Sequence, residues 1–240
     1  MTKPLRFGIV AGEKSGDILG ASLITALRSH YLNCEFVGVG GPAMKALGCE
    51  SLTPMDRLSV MGFVEPLGRL PELLKLKKRL EQRLIKEKPA AFIGIDSPDF
   101  NLRLAANLHK QGIKTVHYVS PSIWAYRQKR ILKIKQSIDL MLTLFPFETA
   151  IYEEHNVRAI CVGHPLADKI GFEDHKATHR QELGIKSDAH VIALMPGSRA
   201  GEIKRLAPLF LETAIASMQK FPQLKFVIPY SGVEAKAQID

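Results

Sequence analysis

The sequence has 240 residues, of which 46% are hydrophobic and 24% are charged. Such a chain can form one large domain, or one domain and part of another. Its net charge of +9 favours anionic partners such as phosphates, nucleic acid or an anionic membrane surface. No apolar run approaches the ~20 residues that span a bilayer, and no signal-peptide pattern precedes the first strand. We therefore expect a cytoplasmic protein.

The three cysteines, Cys34, Cys49 and Cys161, are scattered along the chain with no CxxC or Cys/His ligand spacing. The eight histidines form no HxxxH or HxH pair. This pattern predicts reduced thiols and no metal site.

Short β-rich runs alternate with helical patterns along the whole chain. The predicted strands are 6–11, 35–39, 90–95, 114–119, 138–144, 159–162, 190–195 and 224–229. The main predicted helices are 16–30, 70–88, 100–111, 126–136, 147–155, 176–183 and 201–220. This alternation predicts an α/β fold with parallel sheets covered by helices. His164-Pro165 and the polar stretch after it suggest one domain over 1–165 and an incomplete second domain over 166–240.

The first strand runs into a polar loop, Glu13 to Asp17, and then into an amphipathic helix. Ser15 or Asp17 can cap that helix, and its free N–H groups could hold an anion or a hydroxyl. A capped turn without a ligand explains the loop equally well. A P-loop is excluded, because Glu13 stands where that motif needs glycine. We take Glu13 and Ser15 as candidate substrate-binding residues.

A glycine-rich turn, Gly38 to Ala43, follows the second strand and formally fits GxGxxA. A dinucleotide site would also need an acidic residue at a strand end about twenty positions later. None is present, so we interpret these glycines as a tight turn.

The segment 61–88 combines an apolar stripe with a basic outer face. The stripe consists of Leu73, Leu76, Leu80 and Leu84, and its helical spacing predicts packing on the sheet. Lysines and arginines outnumber glutamates on the remaining positions. The basic face and residues 61–64 could rest on anionic lipid; packing of the leucine stripe on the sheet is by itself the simpler explanation of the segment.

Two carboxylates follow the strand at 90–95, in the run Asp96-Ser-Pro-Asp99. Asp99 or Ser97 can cap the next helix. Of the two carboxylates Asp99 is better placed for that, although it stays a candidate substrate ligand. Asp96 is then available as a general base for an acceptor hydroxyl.

The next strand ends in a run that carries hydroxyls and aromatic rings, 117–127. Ser120 and Trp124 are candidate substrate ligands here, because aromatic faces often hold sugar rings. The basic helix that follows could meet phosphate, or could be a solvated face.

The loops at 145–148 and 162–168 follow the last two strands of the first domain. Both can be plain turns, although His164 stands where the chain crosses between domains.

A buried strand then ends in Pro-Gly-Ser198-Arg199 at the start of a helix that contains Glu202. Helix N–H groups and a forked guanidinium suit a diphosphate. We take Ser198, Arg199 and Glu202 as candidate substrate ligands.

Taken in order, these loops resemble those of the lipid-A-disaccharide synthase family, and together they are highly specific. The matching segments are AGEKSGD (11–17), VGVGGPAM (37–44), MGFVEPLGRL (61–70), GIDSPDFN (94–101), GIKTVHYVSPSIWAYRQKR (112–130), FPFE (145–148), VGHPLAD (162–168) and LMPGSRAGEI (194–203).

The resemblance implies a GT-B fold with two Rossmann-like domains facing a cleft, the first binding acceptor and the second nucleotide sugar. It implies transfer of 2,3-diacylglucosamine from UDP to 2,3-diacylglucosamine 1-phosphate (lipid X), with inversion, at the cytoplasmic face of the inner membrane. Asp96 matches the expected catalytic aspartate and Arg199 the arginine near the donor phosphates. Ser15 and Glu202 match motif positions near the cleft. No metal, cofactor or nucleic acid is implied, and the full-length protein could be a homodimer.

The family continues well beyond residue 240, so we expect this chain to lack most of its donor half and to be inactive alone. Two alternatives stay open: a UDP-sugar 2-epimerase of the same architecture, and an inactive lipid- or nucleotide-binding fragment. An RNA-binding role rests on net charge alone.

Overall fold

The chain divides into two compact units, Met1–Gly171 and Phe172–Asp240. The computed structural model describes residues 4–58, 65–198, 200–230 and 232–239, with the backbone alone for 65–70 and 233–234. The boundary between the units falls six residues after the position predicted from the sequence.

Seven parallel strands form the sheet of the first unit, in the order β3-β2-β1-β4-β5-β6-β7. They are β1 Leu5–Ala11, β2 Cys34–Val39, β3 Cys49–Ser51, β4 Ala91–Ile95, β5 Thr115–Tyr118, β6 Leu140–Thr143 and β7 Ala159–Cys161. The predicted α/β class and parallel sheet are therefore confirmed. The strand β3 was not predicted, because its three residues are too few to show a period-2 pattern.

Helices cover both faces of this sheet. They are α1 Lys14–His30, α2 Pro42–Ala46, α3 Glu65–Glu87, α4 Pro98–Lys110, α5 Ile131–Lys135, α6 Thr149–Glu154 and α7 Pro165–Lys169. Alternate strand residues point to opposite faces, so Val10 and Phe92 pack with α3 to α6, whereas Ile9 and Ile93 pack with α1 and α2.

The predicted leucine stripe of α3 is confirmed. Leu76, Leu80 and Leu84 are buried in the core, and Leu73 packs against it. The outer face exposes lysines, of which Lys75 and Lys78 are examples. The predicted lipid contact of residues 61–64 concerns positions outside the described residues. In the part of the chain that the structure describes, no helix has the length and apolarity to cross a membrane.

The second unit contains two parallel strands, β8 Val191–Ala193 and β9 Lys225–Val227. Its helices are α8 Lys176–Glu182, α9 Ala200–Lys220 and α10 Val233–Ile239. Ile203, Ala207 and Ala235 form a small core between α9 and α10. This strand–helix–strand arrangement confirms the second α/β unit that the sequence predicted, with strands shorter than expected.

Candidate functional site

The loops that follow the seven parallel strands all lie at one edge of the sheet, because every strand runs in the same direction. Ligands of open α/β sheets bind outside this carboxyl edge. The loops after β1 and β4 touch there: a Cβ placed on Gly12 would lie only 2.3 Å from the Ser97 Oγ. The edge therefore brings the region of Glu13 and Ser15 next to that of Asp96.

Asp96 follows β4, the middle strand of the sheet, and its side chain is half-buried. Both of its backbone polar groups are hydrogen-bonded. Its N–H donates to the Tyr118 carbonyl at 2.9 Å, and its own carbonyl accepts from the Asn101 Nδ2 at 2.8 Å. These two bonds hold the Asp96 backbone in place at the carboxyl edge of the sheet. A general base has to be positioned within reach of the proton it takes.

Backbone strain is concentrated at the same edge. Asp96 and Ser97 have φ values of 51° and 42°, and Val119 after β5 has a φ of 80°. Non-glycine residues seldom adopt these angles, and for a β-branched residue such as Val119 the conformation is a clear outlier. Each such residue costs about 1–3 kcal/mol. Strain that the fold sustains on two neighbouring strand ends marks this edge as the candidate site.

Asn101 holds the strained turn in place. Its fully buried Nδ2 lies within hydrogen-bond distance of three carbonyl oxygens: Val10 at 3.3 Å, Ile95 at 3.1 Å and Asp96 at 2.8 Å. These carbonyls belong to the ends of β1 and β4. Asn101 was not among the predicted site residues, because a single asparagine near the start of a helix carries no pattern of its own.

A buried polar pair lies beneath this turn. A Cβ on Gly94 would come within 3.3 Å of both Asn101 and the His117 ring. Among the described residues, both ring nitrogens of His117 and the Asn101 Oδ1 have no hydrogen-bond partner. Burial, with the charge of Arg130 as the smaller cause, lowers the pKa of His117 to about 3. His117 is therefore neutral at physiological pH.

The structure corrects the prediction that Asp99 caps the helix after β4. The helix begins at Pro98 with Ser97 as the N-cap residue, and no side chain caps it. Asp99 lies in the first turn, is exposed, and pairs with the Arg130 guanidinium. A carboxylate in the first turn still favours the helix dipole. A substrate contact by Asp99 stays a prediction.

The capping role predicted for Asp17 is also corrected. Asp17 lies inside α1 rather than before it and is only 3% exposed. Its carboxylate accepts from the backbone N–H groups of Gly41, Ala43 and Met44 at 2.9, 2.9 and 3.0 Å. Asp17 therefore satisfies the N-terminus of α2, and the glycine-rich turn is filled by this carboxylate.

Glu13 and Ser15 both lie at the start of α1. Glu13 is the N-cap residue, is half-buried, and makes no side-chain cap. Ser15 is exposed in the first turn of α1 and does not cap it. Their proposed contacts with substrate stay predictions.

Ser120 and Trp124, the two candidates after β5, have different surroundings. Ser120 is buried, and its hydroxyl is 2.7 Å from the Tyr152 hydroxyl and donates to the Pro121 carbonyl. Its hydroxyl is thus engaged inside the fold. Trp124 is 46% exposed and packs edge-on against Phe147, which stacks on Phe145. Trp124 therefore belongs to an exposed aromatic row after β5 and β6.

The loops after β6 and β7 are closed by their own side chains. The buried Glu148 carboxylate accepts from the N–H groups of Leu144 and Phe145, both at 3.0 Å. His164 caps α7, since its Nδ1 accepts from the Leu166 N–H at 3.1 Å. Both loops are therefore ordered turns, and His164 has a capping role.

In the second unit, the loop after β8 meets the first turn of α9. Glu202 packs on this loop: a Cβ on Gly197 would lie 2.7 Å from the Glu202 Cβ, and the Ser198 N–H is 3.4 Å from its carboxylate. Arg199, the predicted diphosphate ligand, lies outside the described residues. The carboxylate of Glu202 thus lies at the helix end that the sequence analysis assigned to an anion.

Within the described ranges, no three His, Cys, Asp or Glu side chains form a group that could hold a metal ion. The site consists instead of a fixed carboxylate, strained strand ends and nearby aromatic and basic residues.

The fold defines an α/β protein of the class to which UDP-sugar epimerases and glycosyltransferases of known structure belong. A Staphylococcus aureus MnaA–UDP structure has a TM-score of 0.64 at 11% identity, covering 97% of this chain and 64% of that chain. A UDP-GlcNAc 2-epimerase from Neisseria meningitidis has a TM-score of 0.58 at 13% identity, covering 99% and 68%. The glycosyltransferase of kitacinnamycin has a TM-score of 0.56 at 15% identity, covering 95% and 66%. At these identities the likeness concerns the fold alone.

Sequence comparison identifies the family within this class. The family model described as Lipid-A-disaccharide synthetase matches residues 7–240. The lipid-A-disaccharide synthase of Pseudomonas syringae pv. tomato is 55% identical over 240 residues, which are all of this chain and 63% of that protein. The Pseudomonas fluorescens protein is 57% identical over 236 residues, covering 98% and 62%. The chain belongs to the lipid-A-disaccharide synthase family, and it spans about 63% of the length of these relatives.

Proposed function

We propose that this chain supplies the acceptor-binding half and part of the donor-binding half of an inverting glycosyltransferase. In the proposed reaction, 2,3-diacylglucosamine passes from UDP to the 6-hydroxyl of 2,3-diacylglucosamine 1-phosphate. The products are the β-1,6-linked disaccharide and UDP. The observation that carries this proposal is Asp96, a half-buried aspartate whose backbone is held at the end of the central strand in a chain of this family.

In the proposed mechanism, Asp96 takes the proton of the acceptor hydroxyl as its oxygen forms a bond to the sugar C1. The bond from C1 to the diphosphate oxygen breaks, and UDP leaves with the electron pair. Charge that develops on the leaving diphosphate has to be stabilised. We assign that task to Arg199 and the N-terminus of α9, with Ser198 and Glu202 nearby. We propose that Glu13, Ser15 and Trp124 contact the acceptor side.

We also propose that the protein works at the anionic cytoplasmic face of the inner membrane. The basic outer face of α3 supports this, because juxtamembrane cations attract anionic lipid. The full-length protein is proposed to be active as a homodimer. The fold likeness to UDP-sugar epimerases carries no argument for an epimerase, and membership of the synthase family favours transfer.

The experiment is a UDP-release assay with both lipid substrates, with mass spectrometry of the product. It is run on this chain and on a fusion that adds the remaining C-terminal residues of the Pseudomonas syringae relative. We expect a disaccharide from the fusion and no turnover from the chain alone. An epimerised sugar nucleotide without acceptor, or no reaction by the fusion, would refute the proposal.

Asp96→Asn in the fusion tests the assignment of the base. We expect transfer to fall by at least about a hundredfold, the range that general base catalysis provides. Urea unfolding of Asp96→Asn should resemble that of the parent, because the backbone bonds of Asp96 remain. Near-normal turnover of the variant would remove Asp96 from the catalytic role.

A further inference from the structure

A groove of about 1100 Å³ lies on the first unit between α4 and the segment 125–137. Six cationic side chains and one carboxylate line it, which gives a local charge of +5. The cations are Arg103, Lys110, Arg127, Lys129, Arg130 and Lys133. The carboxylate is Asp99, which already pairs with Arg130. The groove thus has an excess of positive charge that an anionic ligand would neutralise.

The cations come from two different elements and converge on one space. Arg103 and Lys110 project from α4, whereas Arg127 and Lys133 belong to the opposite wall. Within the described ranges, these four side chains have no carboxylate partner. Arg127 is also held at a φ of 56°, in the left-handed region. Cations on a simple solvated helix face would all come from one helix, whereas these come from two elements and surround one cavity.

Apolar side chains line the groove together with the cations. They are Leu102, Ala106 and Ala125. A free phosphate would gain nothing from this surface, whereas an acyl chain would lose unfavourable contact with water. The apolar and the cationic lining residues together match a ligand that has both an acyl chain and a phosphate.

The groove begins next to the proposed general base. Pro98 and Asp99 line its upper end, two and three residues after Asp96. The lining residues of α4 then descend from Asp99 to Lys110, a distance of roughly 16 Å at the rise of an α-helix. A lipid in the groove would therefore have one end near Asp96.

We infer that this groove binds the phosphate-bearing acyl acceptor, an inference that rests on the proposed function. The phosphate of the acceptor lies against the arginines and lysines of the groove, and an acyl chain covers its apolar residues. Arginine suits this task because its planar guanidinium binds phosphate through two donors. The acceptor hydroxyl is thereby presented to Asp96.

The test is binding of 2,3-diacylglucosamine 1-phosphate to the 240-residue chain, compared with the same lipid without its phosphate. The variant is Arg103→Gln/Lys133→Gln, which neutralises one exposed cation on each wall. The matched control is Lys135→Gln, an exposed lysine of α5 outside the groove. We expect the phosphate to strengthen binding at least about tenfold, and the double variant to lose at least about tenfold. Lys135→Gln should stay within about twofold of the parent.

Equal binding of the two lipids, or equal loss in Lys135→Gln, would overturn the inference. Competition by inorganic phosphate or by phosphatidylglycerol vesicles as strong as that by the acceptor would also overturn it. In the fusion, the double variant should raise the acceptor KM and leave the donor KM unchanged. Loss of transfer in Asp96→Asn without any effect of the double variant would refute the groove alone. Phosphate-dependent binding to the chain with no transfer by the fusion would refute the proposed function alone.

Discussion

Removal of the Asp17 carboxylate should destabilise the first unit strongly. Asp17 is buried in α1 and accepts three backbone N–H groups at the start of α2. Alanine would leave these donors without a partner, two of them in bonds that are buried. A hydrogen bond to a charged group contributes about 1.5–3 kcal/mol, and the three are not additive. We expect Asp17→Ala to lower the free energy of unfolding by about 3–5 kcal/mol.

The geometry also predicts a graded result for asparagine. The Oδ1 atom accepts from Gly41 and Met44, and Oδ2 accepts from Ala43. Asparagine can keep the first two bonds and loses the third, where its amide would face another donor. Asp17→Asn should therefore lose about 1–2 kcal/mol.

Urea unfolding followed by tryptophan fluorescence measures these changes, because the chain has one tryptophan, Trp124, and it lies in the first unit. Ser15→Ala is the control, since Ser15 is exposed in the first turn of the same helix. It should change the free energy of unfolding by less than about 0.5 kcal/mol. A loss below about 1 kcal/mol for Asp17→Ala, or equal losses for alanine and asparagine, would refute the reasoning.

Three further predictions concern the interior of the first unit. Asn101→Ala should lower the free energy of unfolding by about 2–3 kcal/mol. It should also lower the kcat of the fusion while changing the KM of each substrate less, because the turn at Asp96 is no longer held in place. An unchanged kcat would contradict this role of Asn101. The pKa of His117 is about 3 in the folded state, and its ordinary value is 6.5. Between these two pH values the unfolded state binds a proton that the folded state does not. The free energy of unfolding therefore falls as the pH falls, by up to about 1.4 kcal/mol per pH unit. Between pH 6.5 and pH 5 the parent should lose about 1.6 kcal/mol relative to His117→Leu, and parallel pH profiles would exclude this explanation. Burial raises the pKa of the Cys49 thiol to about 12, so Ellman's reagent at pH 8 should modify the half-buried Cys161 first and Cys49 only on unfolding; equal rates in the folded chain would contradict the burial of Cys49.

Local pattern was sufficient for the α/β class and for most of the elements. The leucine stripe of α3 and the strand before Asp96 could be found from the sequence because periodicity and loop chemistry are properties of adjacent residues. The order of the loops was likewise sufficient to indicate the family. Short elements such as β3 and α2 could not be found this way, because three to five residues carry too little periodicity.

The tertiary structure decided which polar side chains are engaged inside the fold. Asp17 and Asp99 both looked like caps of their own helices, yet Asp17 satisfies a different helix and Asp99 pairs with Arg130. Asn101, with three carbonyls on two strands, and the basic groove depend on residues brought together from separate elements. The sequence by itself determined the class of fold and which loops carry the motifs of the family, because these depend on neighbours along the chain. Partners, burial and strain were decided only by folding, because they depend on residues that are distant in sequence and close in space.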